Sequence, residues 1–130
     1  DYHVYMDERR SPRLRSTLAH EVGHFVLHKE QIQQCKFSTP EDWIHFREDF
    51  LEDDLDWFEF QAYEFAGRLL VPKEELEKQI ESCSEKIRVF KRCFPEGPDL
   101  VEAVSRIICG HFGVSDQVIG KRIAKEKIRL

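Results

Sequence analysis

The residues of this sequence that are best suited to chemistry by type and by spacing form an HExxH pattern at positions 20–24. On a helix with about 3.6 residues per turn, a separation of four places His20 and His24 on one face, where both imidazoles can bind the same metal ion. Zinc is the metal that fits such donors best. Glu21 follows the first histidine directly and can take a proton from a water molecule on that metal. The alternative is a pair of histidines on a buried helix that binds nothing.

A catalytic zinc site usually has three protein ligands, and the carboxylates of a later helix are the candidates for the third. At about 100° per residue, Glu59 shares a face with Ala62 and Ala66, whose small side chains allow another helix to approach closely. Glu64 falls on the outer side, four residues before Arg68, with which it can pair. A glutamate on a packed face needs a partner for its charge, so we predict that Glu59 is the third ligand. Pairing of Glu59 with an arginine or a lysine is the competing interpretation.

Two further histidines could contribute to such a site. His28 continues the spacing of four, but it lies about 12 Å along the helix axis from His20 and cannot share an ion with it. We interpret His28 as a core histidine or as a residue that supports a metal ligand. His111 is a candidate oxyanion donor, although a structural role at a helix end before a glycine turn is the favoured interpretation. A third histidine six residues after His24 is absent, because that position is Glu30.

Three segments together resemble the ImmA/IrrE family of metallo-endopeptidases. They are Thr-Leu-Ala-His-Glu-x-Gly-His at residues 17–24, Glu-x-x-Ala-x-x-Phe-Ala-x-x-Leu-Leu-x-Pro at residues 59–72, and Phe-Gly-Val-Ser at residues 112–115 followed by Ile119 and Arg122. The resemblance implies a zinc site formed by His20, His24 and Glu59, with Glu21 as the catalytic base. It also implies a peptidase that cuts a protein substrate such as a DNA-binding repressor at a limited site.

The chain departs from this family's pattern at one position near the predicted site. Four residues past the metal glutamate the family usually has Asn or Asp, whereas this chain has Tyr63. The tyrosine hydroxyl could orient a ligand histidine or stabilise an oxyanion, so Tyr63 is a candidate catalytic residue. The substitution also keeps open a scaffold that binds zinc without cleaving its partner.

The end of the chain offers a different function, DNA binding. Residues 101–108, 110–115 and 118–123 could form a helix-turn-helix. The basic residues near it are Lys121, Arg122, Lys125, Lys127 and Arg129. The formal net charge of -5 argues against direct nucleic-acid binding, and in the resembled family this segment belongs to the protease domain.

The order of the predicted elements indicates an α+β, mostly α fold. It would be a zincin-like helical domain with a small N-terminal β-sheet or strand and a C-terminal helix-turn-helix-like pair. The predicted elements begin with a strand at residues 2–6 and a turn at 7–15 that contains Pro12. Three helices follow, from Ser16 or Thr17 to about Lys29, from Pro40 to about Phe50, and from Asp53 or Asp54 to the residues before Pro72. The remaining helices are predicted across 73–92 with a break at 82–84, from an Asp99 cap to about Ile108, and from a Ser115 cap to about Lys125.

Composition limits the class of protein. A chain of 130 residues, 41% hydrophobic and 35% charged, predicts one globular domain over residues 1–130. The absence of a membrane-length apolar run and of a leader segment favours the cytoplasm.

The four cysteines form no CxxC pair, so we expect free buried thiols. The acidic stretch at 48–56 is either a solvated segment or a groove rim that selects basic substrates. The chain begins without methionine, which is compatible with a piece of a longer protein.

Overall fold

The computed structural model describes residues 11–34, 38–49 and 52–130, and most of these residues are helical. The helices in this part of the chain are α1 Ser11–Leu27, α2 Lys29–Gln34, α3 Pro40–Asp49, α4 Glu52–Leu70, α5 Lys73–Ser82, α6 Ser84–Cys93, α7 Pro98–Phe112 and α8 Asp116–Lys125.

The prediction of an α+β fold is wrong, because the described residues are all-α and contain no strand or sheet. The strand predicted at residues 2–6 lies outside the described residues. The described part of the chain carries helical periodicity, so it supplies no partner strands with which a stable sheet could form.

The first helix begins earlier than predicted. Ser11 and Pro12 already belong to α1, whereas we expected a turn as far as residue 15. Proline is compatible with the first turn of a helix, because the N–H that it lacks would have no partner there. The Ser16 hydroxyl donates a hydrogen bond of 3.0 Å to the carbonyl of Pro12 instead of capping a helix start.

The start of α3 is a reciprocal cap, as the Thr39-Pro40 pattern predicts. The Asp42 carboxylate accepts hydrogen bonds of 2.9 Å from the backbone N–H groups of Ser38 and Thr39, and the Asp42 N–H donates to the Thr39 hydroxyl at 3.2 Å. These backbone donors, first that of Ser38 and then that of Thr39, hold the pKa of Asp42 below its usual value. The cap is therefore present at neutral pH and weakens when the carboxylate is protonated in acid.

The helices α5 to α8 enclose an apolar core. Its fully buried side chains include Leu76, Val104, Ile108 and Ile119. The predicted break in the segment 73–92 is confirmed, since α5 ends at Ser82 and α6 begins at Ser84.

The ends of α7 depend on two glycines. The helix begins at Pro98 after Gly97, whose φ of 96° excludes most other residues, so Asp99 lies in the first turn and is not the cap that we predicted. At the other end, Gly113 is left-handed with a φ of 61°. The N–H of Val114 donates to the Cys109 carbonyl and the N–H of Gly113 to the Gly110 carbonyl, both at 3.3 Å. This double hydrogen bond stops the helix and turns the chain towards α8.

Arg122 shows why the tail motif contains an arginine. Its side chain on α8 is buried, with 5% of its surface exposed. Its Nε donates a hydrogen bond of 3.2 Å to the carbonyl of Val71, just past the end of α4, and its Nη2 lies 2.7 Å from Glu126 Oε1. The hydrogen bond from Arg122 keeps the pKa of Glu126 below its usual value. Arg122 therefore joins α8 to the carbonyl end of α4.

Backbone contacts divide the chain into two compact units. One comprises residues 18–66, and the other comprises residues 67–130 with the described residues 11–17. None of the described helices is both long and apolar enough to cross a membrane. The cysteines at 83, 93 and 109 are free thiols, but Cys93 is exposed and the other two are half-buried, so the expected burial is not observed. Cys35 lies outside the described residues.

Candidate metal centre

Helices α1 and α4 lie close together at Gly23, where the contact leaves little room for a side chain. A Cβ atom added at Gly23 would lie 3.1 Å from both the Cα and the carbonyl oxygen of Ala62, and 3.2 Å from Phe65 Cδ1. Ala62 is fully buried and Ala66 is nearly so, which confirms that the small residues of α4 form its packed face. The HExxH helix and the glutamate helix are thus held side by side.

Three of the predicted residues meet where these helices touch. His20, His24 and Glu59 each offer one ligand atom, and these atoms all lie within 4.8 Å of one another. The Nε2 atom of His20 is 3.1 Å from one carboxylate oxygen of Glu59, and the Nε2 atom of His24 is 3.2 Å from the other. Two ligand atoms at about 2.05 Å from a tetrahedral ion would be about 3.3 Å apart. The spacing therefore suits a single metal ion.

The surroundings of His20 also fit a metal. Its Nε2 atom is buried and has no hydrogen-bond partner among the described residues, although Glu59 Oε2 is within 3.1 Å. An unsatisfied buried ring nitrogen is costly in a folded protein, and a metal ion supplies the missing partner. Two imidazoles and one carboxylate are also a common donor set for a catalytic metal. His20, His24 and Glu59 therefore fit the metal ion that the HExxH pattern implies.

The position of Glu59 agrees with the helix face predicted for it, but its burial does not. Glu59 lies beside the two histidines and Glu64 does not belong to the cluster, while the role of Glu59 as the third ligand stays a prediction. However, the side chain of Glu59 is 51% exposed and lies at the edge of the packed face, while Glu64 is half-buried. The predicted pairing of Glu64 with Arg68 stays a prediction.

Glu21 and Tyr63 are both exposed residues, and each is a neighbour of His20 in the chain or in space. Glu21 is exposed on α1, next to His20 in the chain. The ring of Tyr63 stacks on the ring of His20, with 4.3 Å between the centroids and 24° between the planes. The ring therefore covers His20 on one side while 65% of the tyrosine surface remains exposed to solvent.

His28 and Gln61 extend the cluster into the protein. His28 is 2% exposed, and its Nδ1 lies 3.0 Å from Nδ1 of His24. Its Nε2 lies 2.9 Å from Oε1 of Gln61, and its ring packs edge-on against Phe58. Of the two roles left open for His28, support of a metal ligand is therefore consistent with its contacts. The sequence analysis assigned no role to Gln61, and its only signal was a polar residue two positions after Glu59.

The outer surface of α1 carries exposed apolar side chains. Leu18, Val22 and Phe25 are 52%, 44% and 64% exposed. The helix buries Ala19 and Gly23 instead, because small residues are what the close approach of α4 selects. In the acidic stretch, Asp54 and Asp56 are exposed, as expected for a solvated segment.

The remaining candidates lie in the other compact unit. His111 is exposed, and its Nε2 is 3.2 Å from Glu75 Oε1. These contacts match the structural role that we favoured for it. In the segment considered for DNA binding, Arg122 is buried and bonded to Val71 and Glu126, so its guanidinium is not available to a phosphate backbone.

An HExxH helix with a carboxylate supplied by a second helix is typical of metallopeptidases. The sequence agrees, because residues 4–124 match the family model of the IrrE N-terminal-like domain, Peptidase M78. The chain belongs to this family, and the predicted resemblance to the ImmA/IrrE peptidases is confirmed. No match was found among curated proteins or among solved structures.

The tight helix contact leads to a prediction about Gly23. Replacement of Gly23 by alanine should lower the free energy of unfolding by about 1–3 kcal/mol, because the new methyl group meets the backbone of Ala62, which can yield only if α4 moves. Urea unfolding of the purified protein, followed by circular dichroism, would measure the change.

Gly110 provides a matched control for this substitution. It lies inside α7, and a Cβ atom added there meets nothing within 4 Å. Gly110→Ala should therefore raise stability by about 0.4–1 kcal/mol. Equal effects of the two substitutions would contradict the close packing of α1 on α4.

Proposed function

We propose that this protein is a zinc-dependent endopeptidase that carries out limited, regulatory cleavage of a protein such as a transcriptional repressor in the cytoplasm. The observation that carries the proposal is that His20 and His24 of the HExxH helix converge with Glu59 of a second helix in a member of a peptidase family. Two imidazoles and a carboxylate leave a position free for chemistry, as a catalytic site requires.

The residues of the site divide the work of peptide hydrolysis. His20, His24 and Glu59 would hold the zinc. When bound, zinc polarises a scissile carbonyl and lowers the pKa of water towards about 7. Glu21 would accept the proton of the attacking water and then deliver it to the leaving amine. Its exposed position on α1 beside His20 supports this role.

Tyr63 would act on the same side as Glu21. Its ring stacks on His20, one of the proposed ligands, and stays largely exposed. A phenol in that position can donate a hydrogen bond to the oxyanion that develops during hydrolysis. Stacking also limits the movement of the His20 ring. Tyr63 would therefore support this histidine by packing, where the Asn or Asp usual in the family would support a histidine by hydrogen bonding.

The experiment that tests the proposed function is a cleavage assay on purified helix-turn-helix repressor proteins. Each repressor is incubated with the zinc-loaded protein and, in parallel, with protein treated with a chelator, and new N-termini are identified by mass spectrometry. We expect one or a few cuts that require zinc. Zinc uptake without a cut in any repressor would contradict the peptidase and support a scaffold that holds its partner intact.

A further inference from the structure

His28 is buried, and both of its ring nitrogens face polar atoms. Nδ1 lies 3.0 Å from Nδ1 of His24, and Nε2 lies 2.9 Å from Oε1 of Gln61. The ring itself is held edge-on against Phe58, with 4.4 Å between the centroids. A side chain needed only to fill space would not require polar partners at both ends of the ring, and one of these partners is the proposed ligand His24.

The hydrogen bonds define where the protons lie. An amide oxygen can only accept, so His28 must donate to Gln61 from its Nε2. A neutral His28 then has a lone pair on Nδ1, and it accepts the hydrogen bond that His24 donates from its own Nδ1. This arrangement leaves the lone pair of His24 on Nε2, the atom that lies 3.2 Å from Glu59. A neutral imidazole with that lone pair free is the form that binds a metal.

We propose that His28 and Gln61 are positioning residues, which hold His24 in the tautomer and the ring orientation that metal binding requires. The inference rests on the proposed function in one respect, namely that the ion is the zinc of that site. Neither residue would touch the ion. They act through His24, whose ring could otherwise rotate or carry its proton on Nε2.

The amide of Gln61 has a second consequence. Turned by 180°, it would donate to His28, and the same chain of hydrogen bonds would end with a proton on Nε2 of His24, directed at the Glu59 carboxylate. That arrangement suits the protein without metal. An ionised glutamate at position 61 can only accept, so it would favour the metal-binding arrangement alone. An apolar residue of the same length would favour neither arrangement.

The test compares the zinc dissociation constants of the wild type, Gln61→Glu, Gln61→Met and His28→Phe, measured on the full chain by competition with a chromophoric chelator. Gln61→Met and His28→Phe should weaken zinc binding by about 10–100-fold, and Gln61→Glu should bind zinc as tightly as the wild type or more tightly. The two variants at position 61 keep the test decisive if His28→Phe fails to fold. Among the residues that the structure describes, Gln61 is linked by hydrogen bonds to the proposed ligands through His28 alone. Equal dissociation constants for Gln61→Glu and Gln61→Met would overturn the proposal.

A second measurement observes the proton directly. Long-range proton–nitrogen correlation spectra of the zinc-loaded wild type should place the proton of His28 on Nε2, and a proton on its Nδ1 would overturn the positioning role. The expected order of zinc affinities without any cleavage would leave this role intact and contradict the peptidase. Cleavage of a repressor together with equal zinc affinities of the variants would support the peptidase and contradict the positioning role. A wild type that takes up no zinc would contradict both the peptidase and the positioning role.

Discussion

Replacement of Glu21 by glutamine is expected to lower the rate of substrate cleavage by about 10²–10⁴-fold while zinc binding is retained. Glutamine has nearly the same size and cannot accept a proton, so only the transfer of protons to and from the substrate is lost. Glu21 is exposed, and the proposed ligands are its neighbour in the chain, His20, together with His24 and Glu59, so the substitution leaves the donor set unchanged.

The measurement is a time course of repressor cleavage with the zinc content determined on the same samples. Glu30→Gln is a suitable control, because it removes the same charge from an exposed position on α2. It should cleave at the wild-type rate. Wild-type activity in Glu21→Gln would exclude Glu21 as the base, and loss of zinc in this variant would show that Glu21 supports the site instead of acting in the reaction.

Replacement of Glu59 by glutamine should abolish stoichiometric zinc binding. The substitution removes the only carboxylate of the donor set and leaves two imidazoles, which form an incomplete site. The loss of affinity should therefore exceed the roughly 10–100-fold that removal of a supporting residue costs. Zinc content after reconstitution and desalting, measured by atomic emission, would test this directly.

Glu64→Gln is the matched control on the same helix. Glu64 lies five residues further along α4 and is not part of the cluster, so this variant should retain its zinc. If Glu64→Gln lost the metal and Glu59→Gln kept it, the assignment of the third ligand would be wrong. Because both substitutions remove one negative charge, a general electrostatic effect would alter the two variants alike.

Much of the candidate site could be predicted from sequence because the positions of its proposed ligands obey local rules. The spacing of His20 and His24 on a helix follows from the helical repeat, and the choice of Glu59 over Glu64 follows from the same repeat on α4. The ends of several helices were predictable for a related reason, since Pro40 and Pro72 restrict the chain locally.

The rest depends on contacts that no local rule describes. The partnership of His28 with Gln61 requires the distance between α1 and α4, which Gly23 and Ala62 determine together across 39 positions of sequence. The exposed surface of Leu18 and Phe25 could not be foreseen either, because a helix with several apolar sides does not reveal which of them its neighbour covers. The early start of α1 was missed because a proline is compatible with a turn and with a first helical turn alike.

Because α1 and α4 are in close contact at Gly23, metal binding at the site depends on the distance between these two helices. Two of its proposed ligands belong to one helix and the third to the other, and the helices lie so close that a Cβ atom added at Gly23 would be 3.1 Å from the backbone of Ala62. Any event that separates them, such as a bulky substitution or strain from a bound partner, would pull Glu59 away from the histidines before either helix unfolds. Whether the protein retains the ion would then indicate how far apart the two helices are. Removal and return of the metal should be possible without refolding.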